Sequence, residues 1–165
     1  PVPNVFSMES RLLGRKCYKN IIAVEPNSRS FGKLKENTAD FLNAEYVNVF
    51  ISDQKKIIEI SKGKGRGTAQ IGSGVEVEAN SVDNIVGDNS VTLLKADVEG
   101  EEINMLKGAK NTITKNLPKM QIACYHRSDD LWTIPEAVLN ITEDYDIYMR
   151  HFPYLPAWDT NFYFI

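Results

Sequence analysis

Apolar and polar positions along this chain alternate between short apolar runs and longer amphipathic stretches. "NIIAVEP" (residues 20–26) is apolar until Glu25 and Pro26 and predicts a buried strand. "NSRSFGKLKENTADFL" (27–42) sets Phe31, Leu34 and then Phe41 and Leu42 on one side, predicting a helix capped by Asn27 or Ser28. "YVNVFISD" (46–53) reads as the next strand, and "KKIIEIS" (55–61) as a further extended piece suited to a hairpin arm. "VEVEA" (75–79) alternates like a half-buried strand, "SVDNIVG" (81–87) is a helical turn closed by glycine, and "VTLLKAD" (91–97) is a strand. From Glu102 to Lys115, Ile103, Leu106, Ala109, Lys110 and Ile113 recur at helical spacing, and Asn116 and Pro118 halt the helix. "MQIACYH" (120–126) is a strand, and "LWTIPEAVLNITE" (131–143) is a helix that tolerates Pro135 only in its first turn. "YDIYMRHF" and "NFYFI" finish as two strands with no room for a helix between them.

Strands alternating with helices and ending in a close strand pair predict one α/β domain over residues 1–165. Its sheet should be mostly parallel and covered on both faces, with a terminal antiparallel pair. The 165 residues suffice for a real core, and 42% hydrophobic with 25% charged residues is ordinary for a globular protein. A net charge of −3 gives no reason to expect nucleic acid or an anionic membrane as partner. No apolar run approaches the roughly 20 residues that span a bilayer, and no signal peptide is visible. The two cysteines, Cys17 and Cys124, suggest no disulfide framework, and with two histidines neither has zinc-ligand spacing, so no metal ligand is assigned. Cys124 reads as a buried small hydrophobe, and a reducing cytoplasm is the expected location. "KGKGRGTAQIGSG" (62–74) is expected to be a solvated glycine-rich loop whose cations could otherwise meet an acidic substrate. The chain starts without methionine and stops inside a strand-like run, so part of a longer product is expected.

In parallel α/β sheets ligands sit at the carboxyl ends of the strands. Four predicted strand ends carry titratable residues: Glu25, Asp53, Asp97 and His126. An acid at the position of Glu25 can take both hydroxyls of a ribose, but a surface acid would also sit there. Glu101 and Glu102 are accounted for by the positive end of the following helix. Asp97 is less so, because it precedes that helix, and Gly100 suggests a sharp turn or a close approach. His126 suits a general base near neutrality, or a loop histidine bonded to neighbouring acids. His151 reads as structural, and Trp132 and Trp158 as core or loop anchors before pocket linings.

"LLKADVEGEEINMLKGA" (93–109) resembles the segment K-x-D-V-E-G-x-E-x-x-x-L-x-G-A of FkbM-type methyltransferases, which use S-adenosylmethionine. "IIAVEPN", "FISD", "SVDNIV", "CYHRSDDLWTIPEAV" and "YMRHF" agree in order, from about Ile21 to Ile165. The resemblance implies a class I, Rossmann-like three-layer sandwich with a mostly parallel seven-stranded sheet and an antiparallel last strand. It implies that Glu25, Pro26, Asn27, Asp53, Asp97 and Glu99 bind the cofactor, Glu25 at the ribose, Asp53 near the adenine and Asp97 beside the transferred methyl group. His126, then Asp97, would take the proton of an acceptor hydroxyl on a sugar or natural product, a small-molecule or glycan acceptor. The family's glycine loop, D-x-G-x-x-x-G, has no counterpart in "PVPNVFSMESRLLG", where a helix from Ser7 to Leu13 closed by Gly14 is expected. The first strand and that loop are therefore expected to be missing from, or altered in, this chain. Two other readings stay open: an NAD-type oxidoreductase, and a cofactor-free α/β module binding a glycan or protein partner. The oligomeric state is left open.

Overall fold

The computed structural model describes residues 18–62, 69–71, 74–152 and 159–165. The expected helix at Ser7 to Leu13, Cys17, Trp158 and parts of the glycine-rich run (63–68 and 72–73) lie outside the described residues.

Strand β1 (Ile21–Val24) pairs in parallel with β2 (Ala44–Val47), joined through helix α1 (Ser28–Asn37). Asn27 is the N-cap: its side-chain oxygen accepts from the N–H groups of Arg29 and Ser30, at 3.0 Å each. The helix ends before Phe41 and Leu42, earlier than the periodicity predicts. Thr38 turns the chain there, its hydroxyl donating to the Leu34 carbonyl at 2.7 Å and lying 2.7 Å from the Tyr46 hydroxyl. β1 is half-buried along its length, not buried as its composition suggests, because β2 is its only hydrogen-bonded neighbour among the described residues.

The run predicted as one strand over 46–53 divides between two sheets. Asn48 is the reason: its amide donates to the carbonyls of Glu25 and Pro26 at 2.7 and 3.1 Å, which ends β2 against the β1–α1 turn. The chain then forms β3 (Phe50–Ile51), in a sheet of order β3-β6-β4-β5 with β4 (Lys56–Lys62), β5 (Ala69–Ile71) and β6 (Val75–Asn80). β5 comes from the run expected to be wholly loop, paired antiparallel to β4 from Ile60↔Ile71 to Lys62↔Ala69. Phe50 and Ala79, with Ile58, Ile60 and Val77 against them, form a small core of this sheet.

The larger core belongs to a third sheet, of order β7-β8-β10-β9. It comprises β7 (Leu93–Ala96), β8 (Lys119–Ala123), β9 (Ile147–His151) and β10 (Thr160–Phe164). β7 and β8 are parallel, while β10 runs antiparallel to both β8 and β9, as the strand pattern predicts. Helix α2 (Val82–Val86) leads in, closed by Gly87 at φ +58°. Between β7 and β8, the single helix predicted over 102–115 is two: α3 (Glu102–Lys107) and α4 (Lys110–Asn116). Gly108 marks the break, packed so closely on the Ser52 carbonyl and Asp53 that a Cβ there would overlap them. Asp83 caps the new start, its carboxylate accepting from the N–H groups of Asn111 and Thr112 at 3.0 and 2.8 Å and from the Thr112 hydroxyl at 2.7 Å.

Helix α5 (Asp130–Leu139) carries Pro135 in its second turn, not its first. Pro135 has no N–H for the Leu131 carbonyl, yet the helix persists, because Ile134 and Val138 on it are fully buried. Leu106, Ile113, Met120, Ile122 and Phe164 complete this core.

One seven-stranded sheet is thus not what the described residues form; they form three smaller ones. The central first strand implied by the resemblance is not among them, so β1 and β7 are each paired along one edge only.

Candidate active site

β7 and β8 lie side by side in register, Ala96 opposite Ile122, so the segments leaving them emerge together at their carboxyl ends. After β7 the backbone turns left-handed, at φ +56° for Glu99 and +96° for Gly100. A Cβ on Gly100 would lie 3.2 Å from Arg127 Nε and 3.8 Å from His126 Cβ, so glycine lets the turn after β7 rest on the turn after β8. Glu99 has no such excuse; holding an L-residue there costs about 1–2 kcal/mol.

His126 stands at the centre, its side chain 11% exposed. Nδ1 lies 2.9 Å from Glu102 Oε1, while Nε2 faces Asp97 Oδ1 at 3.3 Å and Glu99 Oε2 at 3.5 Å. Tyr125 donates its hydroxyl to Asp97 Oδ2 at 3.0 Å, and its ring centroid is 4.3 Å from that of His126. Asp130 holds the backbone below, accepting from the N–H groups of His126 and Arg127 at 3.0 and 2.8 Å. Arg127 turns away, its Nη2 3.4 Å from Glu101, whose other oxygen accepts from Asn104 at 2.7 Å.

The charges here are unevenly matched. Burial acts most strongly on His126, pushing its pKa down, but the Glu102 hydrogen bond and the charges of Glu102, Asp97 and Glu99 together raise it above 6.5. Burial likewise pushes Glu102 up, and the bonds from His126 and backbone N–H groups outweigh it, leaving the carboxyl below its usual value. Glu99 is raised, first by burial and then by Asp97, Glu102 and Glu25, against the pull of His126. Burial first, then Asp97, also raises Tyr125, which stays a donor.

Glu25 closes β1 and accepts from the Asn27 N–H at 2.8 Å, and burial raises its carboxyl. Asp97, Glu99 and His126 are brought into direct contact distance, whereas Glu25 is linked to them only through its charge, the smallest of the influences that act on Glu99. Pro26 and Asn27 sit beside Glu25, the carbonyl of Pro26 taken by Asn48 and the side chain of Asn27 by its cap. Asp53 stands apart, with Lys56 Nζ 2.6 Å away and the Ser52 hydroxyl 3.0 Å away holding its carboxyl below the usual range. Asp97, Glu102 and His126 offer ligand atoms within 4.8 Å of one another, the kind of group that can hold a cation, although one Glu102 oxygen is engaged by His126.

Sequence reasoning missed Glu102, read as a helix-start acid, and also Tyr125, Asp130 and Asn48. An acid four residues after His126, just ahead of the apolar period of α5, was the available signal for Asp130. His151 has a structural partner, its Nδ1 2.7 Å from the Thr160 hydroxyl across the β9–β10 ladder. Trp132 is 60% exposed on α5, which overturns its reading as a core or anchoring residue. Cys124 is buried as expected, its thiol pushed up to about 11, chiefly by that burial.

A family model described as the methyltransferase FkbM domain matches residues 3–154. Among solved structures, a methyltransferase FkbM from Methylobacillus flagellatus KT superposes with a TM-score of 0.75 at 24% identity. The match covers 98% of this chain and 40% of that one, so this chain spans two fifths of the length of that protein, and at this identity the likeness speaks for the fold alone. No curated protein matches significantly. Among the described residues, no helix is long and apolar enough to cross a membrane.

Proposed function

The chain belongs to the FkbM methyltransferase family, and from that premise we propose that it methylates a hydroxyl of a sugar or natural product, using S-adenosylmethionine. One observation carries the reading: at the carboxyl ends of the strands Asp97 and Glu99 lie 3.3 and 3.5 Å from His126 Nε2, with Glu99 raised first by burial and then by Asp97, Glu102 and Glu25. Such a surplus of negative charge suits a positively charged sulfonium and would favour it over its neutral product.

Glu25 would hold the ribose hydroxyls, with Pro26 and Asn27 shaping the turn beside it. Asp97 and Glu99 would face the charged methionine end. Asp53 would reach the adenine only by giving up Lys56. The cofactor supplies an electrophilic methyl group on sulfur. The rest falls to the chain: the acceptor oxygen must be held in line, which is largely positioning. As that oxygen gains the methyl group, its proton passes to His126 Nε2 in the neutral ring, with Asp97 as the second candidate. The acceptor would be neutral, since an anionic one would meet these carboxylates.

Calorimetric titration with S-adenosylmethionine tests the site. Glu25→Ala and Asp97→Ala should each weaken binding at least about ten-fold, or 1.4 kcal/mol. Wild-type affinity in both variants would overturn the assignment.

A further inference from the structure

We propose that Glu102 is a positioning residue that fixes the tautomer and orientation of His126 and so makes Nε2 the nitrogen that receives the acceptor's proton; this rests on the methyl-transfer reading for its use, but not for its geometry. The alternative, that Glu102 only favours the start of α3, fits poorly with where the side chain lies. It is 1% exposed on a helix of six residues, whereas an acid serving the helix end needs no burial. Taking a carboxylate out of water is strongly unfavourable unless its partners compensate.

Those partners are specific. Oε1 accepts from the Val98 N–H at 3.1 Å and lies 2.9 Å from His126 Nδ1, while Oε2 is buried with no hydrogen-bond partner. One oxygen thus ties the turn that carries Asp97 and Glu99 to the imidazole they face. An ionised carboxylate can only accept, so the neutral ring must carry its proton on Nδ1. The lone pair is then on Nε2. Asp97 and Glu99 lie 3.3 and 3.5 Å from that nitrogen, longer than the roughly 2.7–2.9 Å of a charge-assisted bond. Nε2 is therefore left for a proton that comes from outside.

The other groups around the ring do not compete for Nδ1. Tyr125 binds Asp97, Asp130 is occupied by two backbone N–H groups, Arg127 is paired with Glu101, and Asp97 and Glu99 face Nε2. The raised His126 and lowered Glu102 agree with such a pair.

The test needs no acceptor. The chain has two histidines, so in a His151→Gln background the ring nitrogens of His126 can be followed alone by NMR through a pH titration. The neutral ring should be the Nδ1–H tautomer; finding Nε2–H would overturn the inference on the otherwise unaltered protein. Glu102→Gln keeps an acceptor oxygen but removes the charge. It should retain the tautomer and shift the titration to lower pH, toward or below about 6.5. An unchanged midpoint in that variant would also overturn it. S-adenosylmethionine affinity in Glu102→Gln should stay within about two-fold of wild type; a loss as large as that of Asp97→Ala would mark Glu102 as merely structural. A wild-type protein that binds no S-adenosylmethionine but shows the Nδ1–H tautomer would sink the methyltransferase reading and leave the dyad standing.

Discussion

The Glu102–His126 pair sets the pH behaviour of the site, and the signs follow from its two shifts. His126 is raised in the folded chain, so its stabilising share is complete below about 6.5 and is lost as pH rises through the folded value. Glu102 is lowered, so its share is present above about 4.5 and is lost as pH falls through the folded value. The pair's own share of the melting temperature should therefore decline on both sides of this window, and Glu102→Gln should flatten the pair's acid limb. On the acid side it is opposed by Glu25, Glu99 and Asp130, whose raised carboxyls gain stability as pH falls. Turnover should rise with pH through the His126 titration, because the base must be neutral to accept a proton. A second test concerns Gly100. Its φ is +96°, and a Cβ added there would stand 3.2 Å from Arg127 Nε. Gly100→Ala should therefore cost about 1–2 kcal/mol, or roughly 2–8 °C in melting temperature. Gly100 and Asp97 were legible in the sequence because each breaks a local expectation, the one of backbone, the other of where a strand ends. Glu102 was not, because an acid in a first helical turn has a sufficient local reason, and only its burial against a residue that follows β8 reveals another.

Elements were legible in kind and less so in extent, for reasons that are tertiary. Periodicity sees one helix from Glu102 to Lys115, since the apolar positions stay in phase across the break; what divides it is Gly108 against Ser52, a contact no local pattern encodes. Gly108→Ala would push a methyl group into a backbone carbonyl, which cannot retreat as a side chain would. It should destabilise by about 1–3 kcal/mol by chemical denaturation. The capping acid gives an independent measure of the same junction: Asp83→Ala should cost about 0.5–2 kcal/mol. Helix α5 makes the opposite case. Its sequence argues for Pro135 in the first turn, but the helix already begins at Asp130, a buried acid, and burial of Ile134 and Val138 holds it together through the proline. Pro135→Ala would restore an N–H for the Leu131 carbonyl. It should raise the melting temperature, with the unfolded chain's added freedom taking back about 0.4–1 kcal/mol.

At the scale of the whole molecule, the α/β class and the antiparallel β10 follow from element order alone, whereas sheet membership does not. Nothing in "YVNVFISD" says that its halves join different sheets, because that choice is made by Asn48 reaching back to the β1–α1 turn. Nor does the sequence reveal that β1 and β7, in separate sheets among the described residues, bring Glu25 within electrostatic reach of Glu99. That meeting makes a prediction about the molecule as a unit. If S-adenosylmethionine bridges the two, then at about 100 times its dissociation constant it should stabilise the native state by roughly 2.7 kcal/mol and raise the melting temperature by several degrees. Ten-fold weaker binding removes about 1.4 kcal/mol, so Glu25→Ala on the first sheet and Asp97→Ala on the third should each take away about half of that rise or more. In the double variant their effects on binding should be less than additive, since either loss already frees one end of the ligand. Full additivity in the double variant would mean that the two sheets bind independently and that no single site joins them.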